Sequence, residues 1–272
     1  MEWFQALILG IVQGLTEYLP VSSSGHLEIF KDILGIELPA DENLQFDVVV
    51  HAATVLSTIV VLWPMFRDLC RSFFTFRRDE NTTYVWKLIV SCIPVGIVGV
   101  FFKSYVEEIF GSGLLIVGIC LCVTAALLLF AHLSDVRADK LKRANAGRDI
   151  TWWDAIVIGC AQAVAVLPGL SRSGTTIATG IMLGDKRDKV ASFSFLMVII
   201  PILGEMLLDI KDIVAPDYAA QTDLLSMAVG FVAAFAVGCA ACSWMLNIVK
   251  KGKLWWFSVY CVVMGVICIL WN

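Results

Sequence analysis

Residues 48–66, 114–130, 227–249 and 254–271 form four runs without a single Asp, Glu, Lys or Arg. Each is about long enough to cross roughly 30 Å of hydrocarbon as one helix. In lipid the backbone has no water to bond to, so such runs must close their hydrogen bonds within a helix. The rest of the composition agrees: of 272 residues 59% are hydrophobic and only 16% charged, with a mean hydropathy of +0.83, which excludes an ordinary soluble domain. The first apolar stretch, 4–15, has no basic leader and runs into a polar motif rather than a small-residue cleavage site, so it reads as part of the mature protein and not as a signal peptide. Of nine cysteines, all but Cys70 lie within apolar segments, where cysteine serves as a small hydrophobe. Cys239 and Cys242 have CxxC spacing but no second pair and no nearby histidine, so neither zinc nor redox chemistry is expected there.

The chain repeats itself. Trp3, Ala6, Gly10 and Gln13 recur without a gap as Trp152, Ala155, Gly159 and Gln162, and after a one-residue slip Leu19-Pro20 lies over Leu167-Pro168. Each half reads as a short helix, a polar break, a second short helix and three longer apolar helices. The breaks, 19–26 and 167–174, would expose unpaired backbone groups to lipid, so they must be buried in protein or line a wet cavity. The helices beside them are too short to cross singly, which makes a re-entrant hairpin the economical reading.

Loop charges fix the topology. Lysine and arginine collect on the cytoplasmic side, which places there the clusters Arg67/Arg71/Arg77/Arg78, Arg137/Lys140/Lys142/Arg143/Arg148, Lys186/Arg187/Lys189 and Lys250/Lys251/Lys253. The acidic groups Glu37/Asp41/Glu42, Glu107/Glu108 and Asp212/Asp217/Asp223 then face outward. Six crossings near 46–66, 82–104, 112–132, 190–210, 223–249 and 254–271 satisfy every loop if both hairpins are re-entrant. The expected fold is therefore an all-α polytopic membrane protein of two inverted-topology repeats, about six transmembrane helices and two re-entrant helical hairpins. Residues 1–148 form the first repeat, with hairpin 2–35, and 149–272 the second, with hairpin 151–185. Inverted repeats bring such breaks together near the midplane, where substrate sites lie.

The chemistry is concentrated in the breaks. Gln13 and Glu17, four apart, share one helix face, and Ser22, Ser23, Ser24 and His26 follow within a few turns. Serine hydroxyls and free NH groups opening a helix make an anion site, and an intramembrane acid near a histidine is a functional hypothesis by default. The second break sets Ser171, Ser173 and Thr176 around Arg172. A guanidinium grips phosphate oxygens bidentately, so this stretch reads as an oxyanion cradle, unless Arg172 merely pairs with Glu17 to hold the hairpins together. The combination points to phosphoryl chemistry on a lipid.

The run from Gln13 to His26, together with Pro168-Gly169-Leu170-Ser171-Arg172-Ser173-Gly174-Thr175-Thr176, resembles the bacterial undecaprenyl-diphosphate phosphatase family, also called bacitracin-resistance protein, over essentially the whole chain. The resemblance implies hydrolysis of undecaprenyl diphosphate to undecaprenyl phosphate, recycling the carrier lipid for cell-wall synthesis. It further implies bacitracin resistance, a multi-pass protein of the bacterial inner membrane, a pocket opening to the extracytoplasmic face, and a divalent cation, Mg²⁺ or Ca²⁺. The family's second acid falls on Glu17, which is also the candidate metal-holding residue. Its first position, Glu or Gln in the family, is Gln13 here, which weakens any scheme that needs two carboxylates. The remaining positions map onto Ser23, His26, Ser171, Arg172, Ser173 and Thr176. Glu17, His26, Arg172 and Ser23 are the candidate catalytic residues, and Gln13, Ser22, Ser24, Ser171, Ser173 and Thr176 the candidate phosphate-binding ones.

The attacking group stays open between His26, Ser23 and a water activated by His26, with His26 as a plain hydrogen-bond donor the bland alternative. The rival function is a prenyl-phosphate flippase or transporter using the same midplane pocket. The partners are the lipid substrate and the bilayer, with no nucleic acid, and a homodimer is left open. His51, at the start of a crossing, reads as reaching the pocket or as interfacial, His132 as interfacial, Glu205 as lining the pocket or snorkelling, and Trp152, Trp153, Trp255, Trp256 and Trp271 as interface anchors.

Overall fold

The computed structural model describes residues 1–36, 39–102, 105, 113–140, 147–213 and 223–271. Of the loop charges used above, Glu37, Glu107, Glu108, Lys142, Arg143 and Asp217 lie outside the described residues, as do residues 103, 104 and 112 and the side chains of Asp41, Lys140 and Asp212. The described elements are α1 (Trp3–Thr16), α2 (Ser23–Ile33), α3 (Ala40–Val61), α4 (Trp63–Phe74), α5 (Glu80–Phe101), α6 (Leu114–Lys140), α7 (Trp152–Val164), α8 (Arg172–Leu183), α9 (Arg187–Met197), α10 (Ile199–Ile213), α11 (Leu224–Lys250) and α12 (Trp255–Trp271). Among the described residues the one β-type pairing is an isolated bridge between Arg148 and Asp185.

Among the described residues five stretches are long and apolar enough to span a bilayer: Glu42–Val61, Glu80–Phe101, Leu114–Arg137, Arg187–Leu207 and Leu224–Lys250. The protein is thus an all-helical, multi-pass membrane protein. α12, at the expected sixth crossing, is apolar but only 17 residues long.

Two of the expected crossings are interrupted, each next to a proline. α3 ends at Val61 and a new helix starts at Trp63, with Pro64 in its first turn, because a proline ring clashes with the carbonyl four residues back and donates no hydrogen bond. The 190–210 segment divides at Val198. Pro201 leaves the Met197 carbonyl without its helical donor, and the Cys92 thiol of α5 takes that place at 3.3 Å.

The helices around the breaks are short, 14 and 11 residues for α1 and α2, 13 and 12 for α7 and α8. None could cross roughly 30 Å alone. α7 starts with a capping box in which the Asp154 carboxylate accepts the Thr151 amide at 2.8 Å and Thr151 Oγ1 accepts the Asp154 amide at 3.2 Å. The first helix beside each break docks on the other half of the chain: α1 packs along α11, and α7 along α5. The repeated glycine makes both contacts close. A Cβ on Gly10 would lie 2.4 Å from the Gly230 carbonyl oxygen, and one on Gly159 would lie 2.3 Å from that of Ser91.

Candidate active site at the two helix breaks

Both breaks turn into their second helix through the same Ser-x-x-Gly cap. Ser22 Oγ accepts the Gly25 amide at 3.3 Å, and Ser171 Oγ accepts the Gly174 amide at 3.0 Å. Ser22 adopts φ +71°, a conformation that costs a non-glycine residue of order 1–3 kcal/mol and is found mostly where function demands it. The two tips touch. Ser173 Oγ donates to the Leu19 carbonyl at 3.2 Å, and a Cβ on Gly25 would sit 3.2 Å from the Gly169 Cα. Behind the second tip, Thr124 Oγ1 of α6 accepts the Ser171 amide at 3.0 Å, and behind the first the Cys261 thiol reaches the Pro20 carbonyl at 3.5 Å. Residues some 150 positions apart therefore form one surface.

That surface walls a small cavity lined by Glu17, Tyr18, Arg172, Ser173, Thr176, Ser194, Phe195 and Val198. On one side Glu17 Oε2 accepts the Ser23 hydroxyl at 2.6 Å and the Gln13 amide at 3.1 Å. On the other, Arg172 opens α8 with Ser171 as its cap. Arg172 and Glu17 feel each other's charge, yet Arg172 makes no ion pair within 4.0 Å among the described residues. The arginine is not a tie between the hairpins. It is a guanidinium facing a cavity, with five donors to offer an anion.

The other candidates divide into two groups. Ser173 and Thr176 line the cavity, Ser171 contacts Ser173 Oγ at 3.4 Å, and Ser24 contacts the capping Ser22 Oγ at 3.4 Å. His26 lies apart. It is 2% exposed, its Nδ1–H donates to the Ser22 carbonyl at 2.8 Å, and its Nε2 accepts the Tyr260 hydroxyl at 2.7 Å. With both nitrogens engaged and the ring stacked on Tyr260 at 5.7 Å, this histidine pins α2 to α12.

Four contributors escaped sequence reasoning: Tyr18, Thr124, Ser194 and Tyr260. Tyr18 hydrogen-bonds the Thr54 carbonyl at 2.6 Å, Thr58 Oγ1 at 2.8 Å and Ser57 Oγ, fixing the residue after Glu17 to α3. Ser194 of α9 meets Thr176 Oγ1, which also donates to the Arg172 carbonyl at 2.9 Å. For Thr124 the signal in the sequence is a lone hydroxyl within an apolar helix, where a polar group needs a partner.

The described residues offer a resident metal ion no ready-made set of ligands. Among those that line the cavity Glu17 alone carries a carboxylate, and its Oε2 already accepts two hydrogen bonds. Among the described residues no group of three His, Cys, Asp or Glu side chains could hold an ion.

Residues 6–267 match the family model described as bacitracin resistance protein BacA. The chain is similar to proteins named undecaprenyl-diphosphatase. That of Parabacteroides distasonis is 57% identical over 270 residues, covering 99% of this chain and 98% of the relative. Those of Christiangramia forsetii, 45% identical over 271 residues with 99% and 98% covered, and Methanobrevibacter smithii, 37% identical over 289 with 98% and 96% covered, share the name. The chain belongs to the bacitracin resistance protein BacA family.

Proposed function

We propose that this chain is an integral membrane phosphatase that hydrolyses undecaprenyl diphosphate to undecaprenyl phosphate and inorganic phosphate, the activity in the names of its relatives. It thereby recycles the carrier lipid for cell-wall synthesis and confers resistance to bacitracin. The observation that carries the reading is the pairing across one cavity of an unneutralised Arg172 with a Glu17 that already holds the Ser23 hydroxyl at 2.6 Å.

In the mechanism these parts support, Arg172 takes the terminal phosphate, helped by Ser173 and Thr176, and stabilises charge as the P–O bond lengthens. Ser23 Oγ attacks phosphorus while Glu17 Oε2 accepts its proton, and undecaprenyl phosphate departs. Water then takes the phosphoryl group from Ser23, which recovers a proton from that water. Gln13 orients Glu17, the Ser22 cap sets the direction of Ser23, and His26 holds the first turn of α2 through Tyr260. A divalent cation would supply counter-charge to the diphosphate, and Glu17 is the cavity-lining carboxylate that would help to hold it.

Two inverted repeats with re-entrant hairpins account for the reciprocal docking of α1 on α11 and α7 on α5, with α12 as the sixth crossing. On the loop charges the cavity opens to the extracytoplasmic face of a bacterial inner membrane. Purified protein in detergent, given undecaprenyl diphosphate and Mg²⁺ or Ca²⁺, is expected to release inorganic phosphate. No release with either ion would refute the reading.

A further inference from the structure

Splitting a prenyl diphosphate into prenyl phosphate and inorganic phosphate at neutral pH liberates one proton. The trianionic diphosphate plus water becomes two dianionic phosphates and H⁺, since the second phosphate pKa is about 6. In the sequence above that proton is the one Glu17 takes from Ser23. The second step does not remove it, because the attacking water returns one hydrogen to Ser23 and leaves the other on phosphate. Glu17 must therefore be discharged before each new turnover. Its direct partners cannot do this: Gln13 offers an amide NH, Ser23 is the nucleophile, and Arg172 keeps its proton in proteins.

We propose that His51 is the relay that takes this proton from Glu17 at Nε2 and, being only half-buried, releases it from there to water, a role that rests on the phosphatase reading above. Tyr18, the residue after Glu17, donates to the Thr54 carbonyl at 2.6 Å, and Thr54 Oγ1 donates to the His51 carbonyl at 2.9 Å. The end of α1 is thus fastened to α3 one turn from His51, which lies within electrostatic reach of Glu17 as Arg172 does. The ring is oriented for the task. His51 Nδ1–H donates to the Asp47 carbonyl at 2.7 Å, which leaves the Nε2 lone pair of the neutral imidazole to accept a proton.

The nearest charged side chain along α3 is already paired. Asp47, four residues back on the same face of α3, pairs with Lys31 at 3.3 Å, which also pairs with Glu28 at 3.3 Å. On the neighbouring α11 no residue between Leu224 and Val249 is charged, and Glu205 of α10 is exposed.

The test is phosphate release by the wild type, His51→Gln and His51→Ala at saturating undecaprenyl diphosphate, with and without added imidazole, and with Tm measured for each. The first turnover, followed with enzyme in excess, is expected to proceed at the wild-type rate. Steady-state kcat should fall at least about tenfold with KM little changed, and imidazole should restore much of it in His51→Ala. Full kcat in His51→Gln would overturn the proposal. So would an equal loss in the first turnover, a defect confined to KM (the mark of a phosphate-holding residue), or a defect in folded protein that imidazole leaves untouched. A wild type that releases no phosphate would instead refute the phosphatase reading.

Discussion

Gly159 is where the second hairpin leans on the first half of the chain, and Gly159→Ala tests how finely that docking sets the site. The added Cβ would lie 2.3 Å from the backbone oxygen of Ser91 and 2.9 Å from its Cα. Backbone cannot swing aside, so α7 must move off α5 by roughly 1 Å to reach the 3.4 Å of ordinary contact. Overpacking of this kind costs about 1–3 kcal/mol, and the better helix propensity of alanine returns about 1 kcal/mol. The net loss of around 1 kcal/mol lowers Tm by roughly 2–4 °C for a chain of this size. Activity should suffer more. α7 leads through the break into Arg172, and a displacement near 1 Å between Arg172 and Glu17 costs on the order of a hundredfold in rate. The control is Gly96→Ala on α5, where a Cβ meets nothing within 4 Å, so neither Tm nor rate should fall. Thermal unfolding in detergent and phosphate release measure both quantities. A Gly159→Ala protein matching Gly96→Ala in both would refute the argument that this contact sets the geometry.

Tyr260→Phe removes the donor to His26 Nε2 while keeping the ring; a buried acceptor left unsatisfied costs about 1–3 kcal/mol. If His26 only positions α2, kcat should drop modestly, roughly tenfold, and a loss as deep as that of Ser23→Ala would make the histidine a reacting group. In the turn between α8 and α9, Asp185 is buried beside Asp154, and Arg148 offsets only part of the effect, so its carboxyl is pushed up to about 7. The folded state then holds this proton more tightly than the unfolded chain. Stability falls as pH rises from about 4 toward 7 and levels off above. Asp185→Asn should therefore raise Tm at about pH 8 and do little at about pH 4, and an equal gain at both would contradict this origin.

Much of this was legible in the sequence because the membrane makes polar residues conspicuous. The short helices at 3–16, 23–33, 152–164 and 172–183 fall where the polar breaks and apolar runs placed them. Gln13, Glu17, Ser23 and Arg172 stood out because an apolar solvent leaves such groups few reasons to be present. What stayed hidden was which atom each side chain addresses. His26 is as conspicuous as Glu17, yet its partner is Tyr260, 234 positions away, and no local pattern encodes that contact. The prolines at 64 and 201 were readable as helix breakers, but the apolar continuity across them favoured unbroken crossings. Tyr18 and Ser194 were masked for another reason: an aromatic or a serine in an apolar run reads as packing or surface until its hydroxyl partners are known.

The central claim is that Glu17 and Arg172, on opposite hairpins, serve one phosphate. Its most direct measurement is release of inorganic phosphate from undecaprenyl diphosphate at saturating substrate by the wild type, Glu17→Gln and Arg172→Ala, each shown to be folded. The account predicts rapid release by the wild type and a loss of at least about a hundredfold in each variant. Most of the activity surviving in either folded variant would contradict the joint site.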